Sequence, residues 1–469
     1  MSRRLRGPAR CAPALCVALL VVAETTPAAA EVIEDIDVQD NSKTTDDTVI
    51  LISGLERGDD FAIEDIDAVR ERLVSSGLFT NVEVFTRPIK GGVRVVIIAK
   101  DKHSWVIAPT YYNQPTNQGG GLGFGENNLF GTNKKLLLYG QVATGDSFFL
   151  GAYVDPSLWG TRLRWQLDTY LASSRIIEYA PPAEYLTDTL PVRQSRMNYL
   201  NGGLRVGVEL FRGATMDVRF RGAHVDYTDV ALADGATLAD VTDDPAATEV
   251  PAPGGEGWDT SLEGMIAYDT RANWYGITHG DKIKLSYERA TPGMGSDFDY
   301  WLASIQLERA RRYFSRHNFD VRASFGWGHD LPFQQEYTSG GTGLRGYKNA
   351  QFRGDLKATL NLEYSVPVFT IDLDDDYQGI FKVLDGFALR ALVFGDAAYT
   401  TVRSAGVHGR RNYLPEADSH GLDPLKTSVG VGTRIYLRQI VLPLLGLDVG
   451  YGPERGDYEI YFAIGVTDF

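Results

Sequence analysis

The chain has 469 residues, with 61 acidic against 46 basic side chains and a formal net charge of −15 at neutral pH. That sign argues against a nucleic-acid partner, whose phosphates call for a basic face. Both cysteines, Cys11 and Cys16, lie near the N-terminus, so the rest of the chain has no disulfide scaffold, thiol nucleophile or cysteine metal site.

The chain opens with Arg3, Arg4, Arg6 and Arg10, then an apolar stretch from Ala12 to Val22, then Ala28-Ala29-Ala30 before Glu31. This pattern reads as a secretory signal peptide over residues 1–30, cut after Ala30. Its apolar run is too short to span a bilayer as a helix, and no longer run follows. An exported chain with 24 Tyr, 21 Phe, 7 Trp and 50 Gly points instead to β-structure. Aromatics of that kind form girdles at the two membrane interfaces.

Residues 31–47 are polar and are expected to form a flexible segment. Residues 48–103 read as a small α/β domain. Val49 to Ile52 are expected as a strand, and Asp59 or Asp60 as a helix cap. Ala62, Ile66, Val69 and Leu73 make an apolar stripe at helical spacing, and Gly77 is its left-handed stop. Val82–Phe85 and Val93–Ala99 follow as a hairpin through Lys90-Gly91-Gly92. The stretch "LVSSGLFTNVEV", Leu73 to Val84, resembles the helix-to-strand passage of a POTRA domain. That resemblance implies a periplasmic location and capture of unfolded chains, in part by strand addition.

From residue 104 to 469 the pattern changes to alternation. In "DLKATLNLEYSVPVF" the residues Leu356, Ala358, Leu360, Leu362, Tyr364, Val366 and Val368 share one face. Lys357, Thr359, Asn361, Glu363 and Ser365 share the other. "FALRALVFGDAAY" repeats this, with Phe387, Leu389, Ala391 and Val393 outward and Arg390 and Asp396 inward. Such strands face lipid outside and a polar lumen inside. Counting them gives a mainly β fold, a sixteen-stranded antiparallel transmembrane β-barrel, preceded by the small α/β domain. Long connections alternate with short ones such as "DPSLWGT" and "FRGA", which puts both barrel ends on the side of the N-terminal domain. The acidic stretch Thr370 to Gly386 breaks this rule. Its glycine is misplaced for a calcium loop, so a solvated turn is expected there.

"LRGY", Leu344-Arg345-Gly346-Tyr347, resembles the hallmark loop motif of the BamA/TamA outer-membrane assembly superfamily. The resemblance implies a loop folded back into the lumen, its arginine meeting Glu363 in "NLEYSVP" and Asp396 in "FGDAA". "GLGFGENNLFGTNKKLLL" resembles the family's second hairpin, and "YVDP" and "AYDTR" also match. The C-terminal Phe469 resembles the strand signal read by insertion machinery, although the alternation of Ile460, Phe462, Ile464 and Val466 leaves it on the opposite parity. Ala398 stands where the family has glycine, and only one POTRA-like domain is present. The family reading implies a bacterial outer-membrane location, with outer-membrane lipid, unfolded client proteins, periplasmic chaperones or accessory proteins as partners. It implies a lateral seam between the first and last strands, which Pro109, lacking an amide donor, and Gly465 would soften.

An enzyme is not expected, nor a cofactor or a metal. The seven histidines are scattered, with no H-E-x-x-H or G-x-S-x-G pattern. "SGGTGLRG" lacks the Lys-Ser/Thr of a phosphate loop. The alternatives to an assembly factor are a passive channel or specialised exporter, and a lipid- or adhesin-related surface protein. Arg345 with Glu363 and Asp396 also reads as a purely structural clamp, and Pro109 as protection of an edge.

Overall fold

The computed structural model describes residues 31–62, 65–114, 116–180, 190–211, 213–242, 244–274, 277–314, 316–372, 386–403, 425–437 and 443–464. The expected signal peptide, Gly465, Phe469 and most of the acidic Thr370–Gly386 stretch lie outside the described residues.

The N-terminal domain runs β1 (Glu31–Gln39), α1 (Asp46–Ser53), β2 (Asp60–Phe61), α2 (Asp65–Ser75), β3 (Phe79–Ile89) and β4 (Gly92–Asp101). Its sheet has the order β2-β1-β4-β3, with β1 parallel to β4. Val49, Val69 and Leu73 from the helices pack on Ile33, Val95 and Ile97 of the sheet. Strand β1 and helix α1 thus occupy Glu31–Gln39 and Asp46–Ser53, where a flexible segment was expected over residues 31–47. In "EVIEDIDVQ" the ladder shifts register between Ile33 and Asp35. The shift sends Ile33 and Ile36, three residues apart, into one core, and the strand loses the period of two that would have shown it.

Val49 to Ile52, expected as a strand, lie in α1. The Thr45 side chain caps this helix by accepting the Thr48 amide, Asp46 and Asp47 occupy its first turn, and Gly54 closes it in the left-handed region. These end signals outweigh a β-branched run. Helix α2 begins at Asp65 rather than after Asp59 or Asp60. The Asp65 carboxylate accepts the Ala62 amide at 2.8 Å, while Asp60 belongs to β2.

Sixteen spanning strands close the barrel, as the alternation implied. They run from Trp105–Gln114 to Asp457–Ile464. The outward positions Leu360, Leu362 and Val393 are exposed, and the inward positions Ser365, Arg390 and Asp396 are buried. Heights are unequal. The first four strands have 10, 13, 10 and 10 residues. The next three, Leu163–Ala180, Leu190–Phe211 and Ala214–Leu232, have 18, 22 and 19. A spanning strand needs only about 9–11 residues, so this second wall rises well past the bilayer.

The N-terminal domain is docked on the second strand of the barrel, Asn117–Leu129, and the turn after it. The Thr45 amide donates to the Gly131 carbonyl at 3.0 Å, Lys43 Nζ reaches Glu126 at 2.8 Å, and Asn128 Nδ2 donates to Thr44 Oγ1 at 2.8 Å. Behind this contact Asp101 organises the chain. Its carboxylate accepts the amides of Ser42 and Lys43, each at 2.6 Å, together with the Thr44 amide and hydroxyl. Burial pushes the Asp101 carboxyl up, but the Thr44 hydroxyl and these amides outweigh it and hold it below the usual range.

A depressed carboxylate adds stability that is full above its unfolded value of about 4 and is lost as pH falls through the lower folded value. Limited proteolysis of the segment around Ser42 to Thr45 should therefore show protection from neutral pH down to about pH 4, and loss below it. Asp101→Asn should lose the protection at neutral pH already.

Candidate functional site

The connection between the strands His317–His329 and Leu356–Asp372 turns into the barrel and is held at both ends. At its root, Leu331 packs on Tyr300, Ala290 and Val402, and Phe333 on Val225 and Tyr227. The side-chain amides of Gln334 and Gln335 each donate to Asp259 at 3.1 Å. Asp259 also pairs with Arg221 at 3.0 Å, and Arg221 with Glu288 at 2.6 Å. The Arg353 guanidinium lies 3.8 Å over the Phe333 ring. A small hairpin, Tyr337–Ser339 with Phe352–Gly354, carries the chain inward. Gly340, at φ 112°, turns it where a Cβ would stand 2.1 Å from the Lys348 carbonyl.

At the tip, Arg345 is buried among carboxylates. Its Nε and Nη2 donate to the two oxygens of Asp396 at 2.9 and 2.8 Å. Its own amide donates to the same group at 3.1 Å. Nη1 reaches Glu363 at 3.1 Å and Asp448 at 3.4 Å. Asp448 is held from its other side by Arg434, at 2.5 and 2.7 Å. Arg322 approaches Glu363 at 3.8 Å. The buried Arg345 and Arg434 thus share the buried carboxylates of Asp396 and Asp448, the pairing that desolvated charges require. The Phe394 ring lies under the Arg345 guanidinium at 3.4 Å, a cation–π contact that the fork geometry leaves free. Leu344 and Tyr347 close over Ala398. The alanine that replaces the family's glycine is therefore part of the packing beneath the loop.

Glycine is required at Gly346, where φ is 103° and a Cβ would stand 2.9 Å from the Gly452 nitrogen. Gly450 and Gly452 supply the matching track on the strand Pro443–Gly452. The tip also reaches both strands of the barrel's closure. On the last strand, Tyr461 accepts the Gly346 amide at 3.1 Å and donates to the Tyr347 carbonyl. On the first strand, Gln114 accepts from Asn349 at 3.3 Å. The Tyr347 hydroxyl donates to Glu454, in the turn before the last strand, at 2.5 Å. Burial and Glu454 raise the Tyr347 hydroxyl well above its usual value. Burial alone would raise Glu454 as well, but the hydrogen bonds from Tyr347 and Thr427 hold it below the usual carboxylate range.

Among the described residues the closure itself rests on three pairs, Asn113 with Phe462, Tyr112 with Ala463 and Tyr111 with Ile464. The neighbouring first hairpin has ten, from Trp105 with Glu126 to Gln114 with Asn117. Pro109 faces outward, pairs with Leu122 of the second strand, and is not among the described closure pairs. Gly465 and Phe469 lie outside the described residues.

The structure therefore brings Leu344, Arg345, Gly346, Tyr347, Glu363 and Asp396 into one site. Asp448, Arg434, Phe394, Glu454 and Tyr461 were not singled out in the sequence. For Asp448 the signal was present in "LLGLDVGYG", where Gly446, Asp448, Gly450 and Gly452 alternate on one face, and for Tyr461 in its parity, which opposes Ile460 and Phe462. Among the described residues no cluster of His, Cys, Asp and Glu could hold a metal ion.

The Omp85 superfamily domain matches residues 128–467. Among solved structures, BamA from Haemophilus ducreyi lacking POTRA domains 1-3 is similar with a TM-score of 0.58 and 15% identity, covering 93% of this chain and 84% of that one. CdiB from Escherichia coli gives 0.59 and 12%, over 92% and 76%. CdiB from Acinetobacter baumannii gives 0.56 and 13%, over 93% and 74%. At these identities the likeness is one of fold. No curated protein sequence matches the chain.

Replacing Arg345 with Ala leaves buried carboxylates without their cation, a loss of about 3–5 kcal/mol at the loop. The sixteen-stranded barrel should still form and resist heat in a gel-shift assay, while a protease cuts the loop between residues 338 and 352. Arg345→Lys should restore little, because a single ammonium cannot bridge Asp396 in two places. Tyr461→Phe should weaken the tip by about 1 kcal/mol, read as an intermediate cutting rate.

Proposed function

The chain belongs to the Omp85 superfamily of outer-membrane β-barrels, and from that premise we propose that it assists the insertion, assembly or translocation of proteins at the outer membrane through the seam between its first and last strands. The observation that carries this reading is the position of the inward loop at the closure. Its tip is bonded to both closing strands, through Asn349 to Gln114 on the first and through Gly346 to Tyr461 on the last. An opened edge offers unpaired backbone donors and acceptors to an incoming strand. In this reading Pro109 weakens the first strand as a permanent partner, since it has no amide to donate. Gly465 would soften the other side. Phe469 would serve as the chain's own strand signal.

The work is physical and needs no cofactor. The N-terminal domain, resembling a POTRA domain, would sit in the periplasm and present client chains with outer-membrane lipid at hand, and chaperones or accessory proteins would deliver them. Its docking close to the closure supports that role. The domain is bonded to the Asn117–Leu129 strand and the turn after it, one strand from the seam.

Liposomes bearing the purified protein should accelerate insertion of an unfolded test barrel. With Asn113→Cys and Phe462→Cys, which face each other across the closure, oxidation should abolish the acceleration and reduction should restore it. Undiminished insertion by the oxidised form would sink the seam mechanism. A large, steady ion conductance without acceleration would favour the passive channel or exporter instead.

A further inference from the structure

Two consecutive short turns at the end of the barrel that carries the N-terminal domain share the pattern Leu-aromatic-Gly-Thr and the same microstructure. They are Leu129-Phe130-Gly131-Thr132 and Leu158-Trp159-Gly160-Thr161. In each, the threonine amide donates to the leucine carbonyl, at 3.3 and 3.0 Å. In each, the threonine hydroxyl donates to that same carbonyl, at 3.0 and 2.7 Å. The aromatic residues have φ of 58° and 53°, and the glycines after them 71° and 74°.

This is a turn with two left-handed central residues, the kind that Asn-Gly fills without strain. A bulky aromatic at positive φ is a costly substitute. Packing does not explain it. Phe130 is 80% exposed and Trp159 is 85% exposed. The strain therefore holds two large apolar side chains out of the protein.

Strand length fixes what lies around them. The strand Lys134–Ala143 between the two turns has 10 residues. At about 3.3 Å per residue and a tilt near 45° it climbs about 23 Å. The apolar band of such a barrel is about 25 Å tall. The turns thus sit at the band's edge rather than beyond it, below an outward face carrying Leu122, Leu138 and Phe149. Helix α1 lies alongside. Its exposed Leu51 would touch a Cβ at Gly160 from 4.0 Å.

We propose that Phe130 and Trp159 are a pair of lipid anchors. They are seated in the headgroup–acyl boundary of the leaflet nearer the N-terminal domain, and they fix the depth of the short-stranded wall beside the closure. The partner is phospholipid, and the aromatic ring suits it because its body is apolar and it tolerates a wet edge.

The test uses the full chain in phosphatidylcholine vesicles. The emission of Trp159 is obtained as the difference between the natural protein and Trp159→Phe. With lipids brominated just below the headgroup, this difference should lose most of its intensity. Intensity untouched by brominated lipid but quenched by aqueous iodide would place the ring in water, open to a soluble protein partner, and would overturn the proposal. A second measurement compares unfolding temperatures of the double variant Phe130→Asn, Trp159→Asn. In detergent micelles the variant should match or exceed the natural protein, because asparagine fits the turn. In vesicles it should unfold at a lower temperature. A fall in both media would make the aromatics packing residues, and a fall in neither would remove the lipid role.

Discussion

A buried guanidinium with no water to solvate it must find anions, and Arg345 finds Asp396, Glu363 and Asp448 on three different strands. Charges removed from solvent are tolerable only when balanced and hydrogen-bonded. That demand shapes the surroundings. It sets Arg434 behind Asp448 and Phe394 beneath the guanidinium plane. It also needs glycines at 346, 450 and 452, so that the loop backbone can approach the wall closely enough for the fork to reach. The long inward loop stays in place because its tip meets this cluster and its root meets a second one around Asp259 and Arg221.

The same tip touches the barrel at its closure, where Tyr111, Tyr112 and Asn113 of the first strand pair with Ile464, Ala463 and Phe462 of the last. Asn349 and Tyr461 connect the loop to the two sides of that closure. The N-terminal domain grips the adjoining hairpin through Lys43, Thr44 and Thr45. Three parts remote from one another in sequence thus converge on one side of the barrel, the side with the shortest strands.

Much of this was legible in the sequence, and the reasons differ from element to element. The barrel was readable because lipid on one face and a polar lumen on the other impose a period of two, as in Leu356 to Val368. Arg345, Glu363 and Asp396 were reached through a resemblance, and alternation independently turned both carboxylates inward. Asp448 and Tyr461 were missed because inward parity alone does not say which inward residue a loop from elsewhere will meet. The N-terminal domain was misread where local rules conflict. A register shift hid the period of β1, and end signals from Thr45 and Gly54 made a helix out of Val49 to Ile52.

The contacts of the inward loop also impose an order of events. Arg345 and Asp448 are 103 residues apart, Gly346 and Tyr461 115, and Asn349 and Gln114 235. The first two of these bonds cannot form while the final hairpin is still missing, and the third needs the first strand in position. Loop closure over such separations is slow, because its entropy is lost before any contact compensates for it. Docking of the loop is therefore the late step of maturation, and a docked loop marks a chain whose ring is already complete.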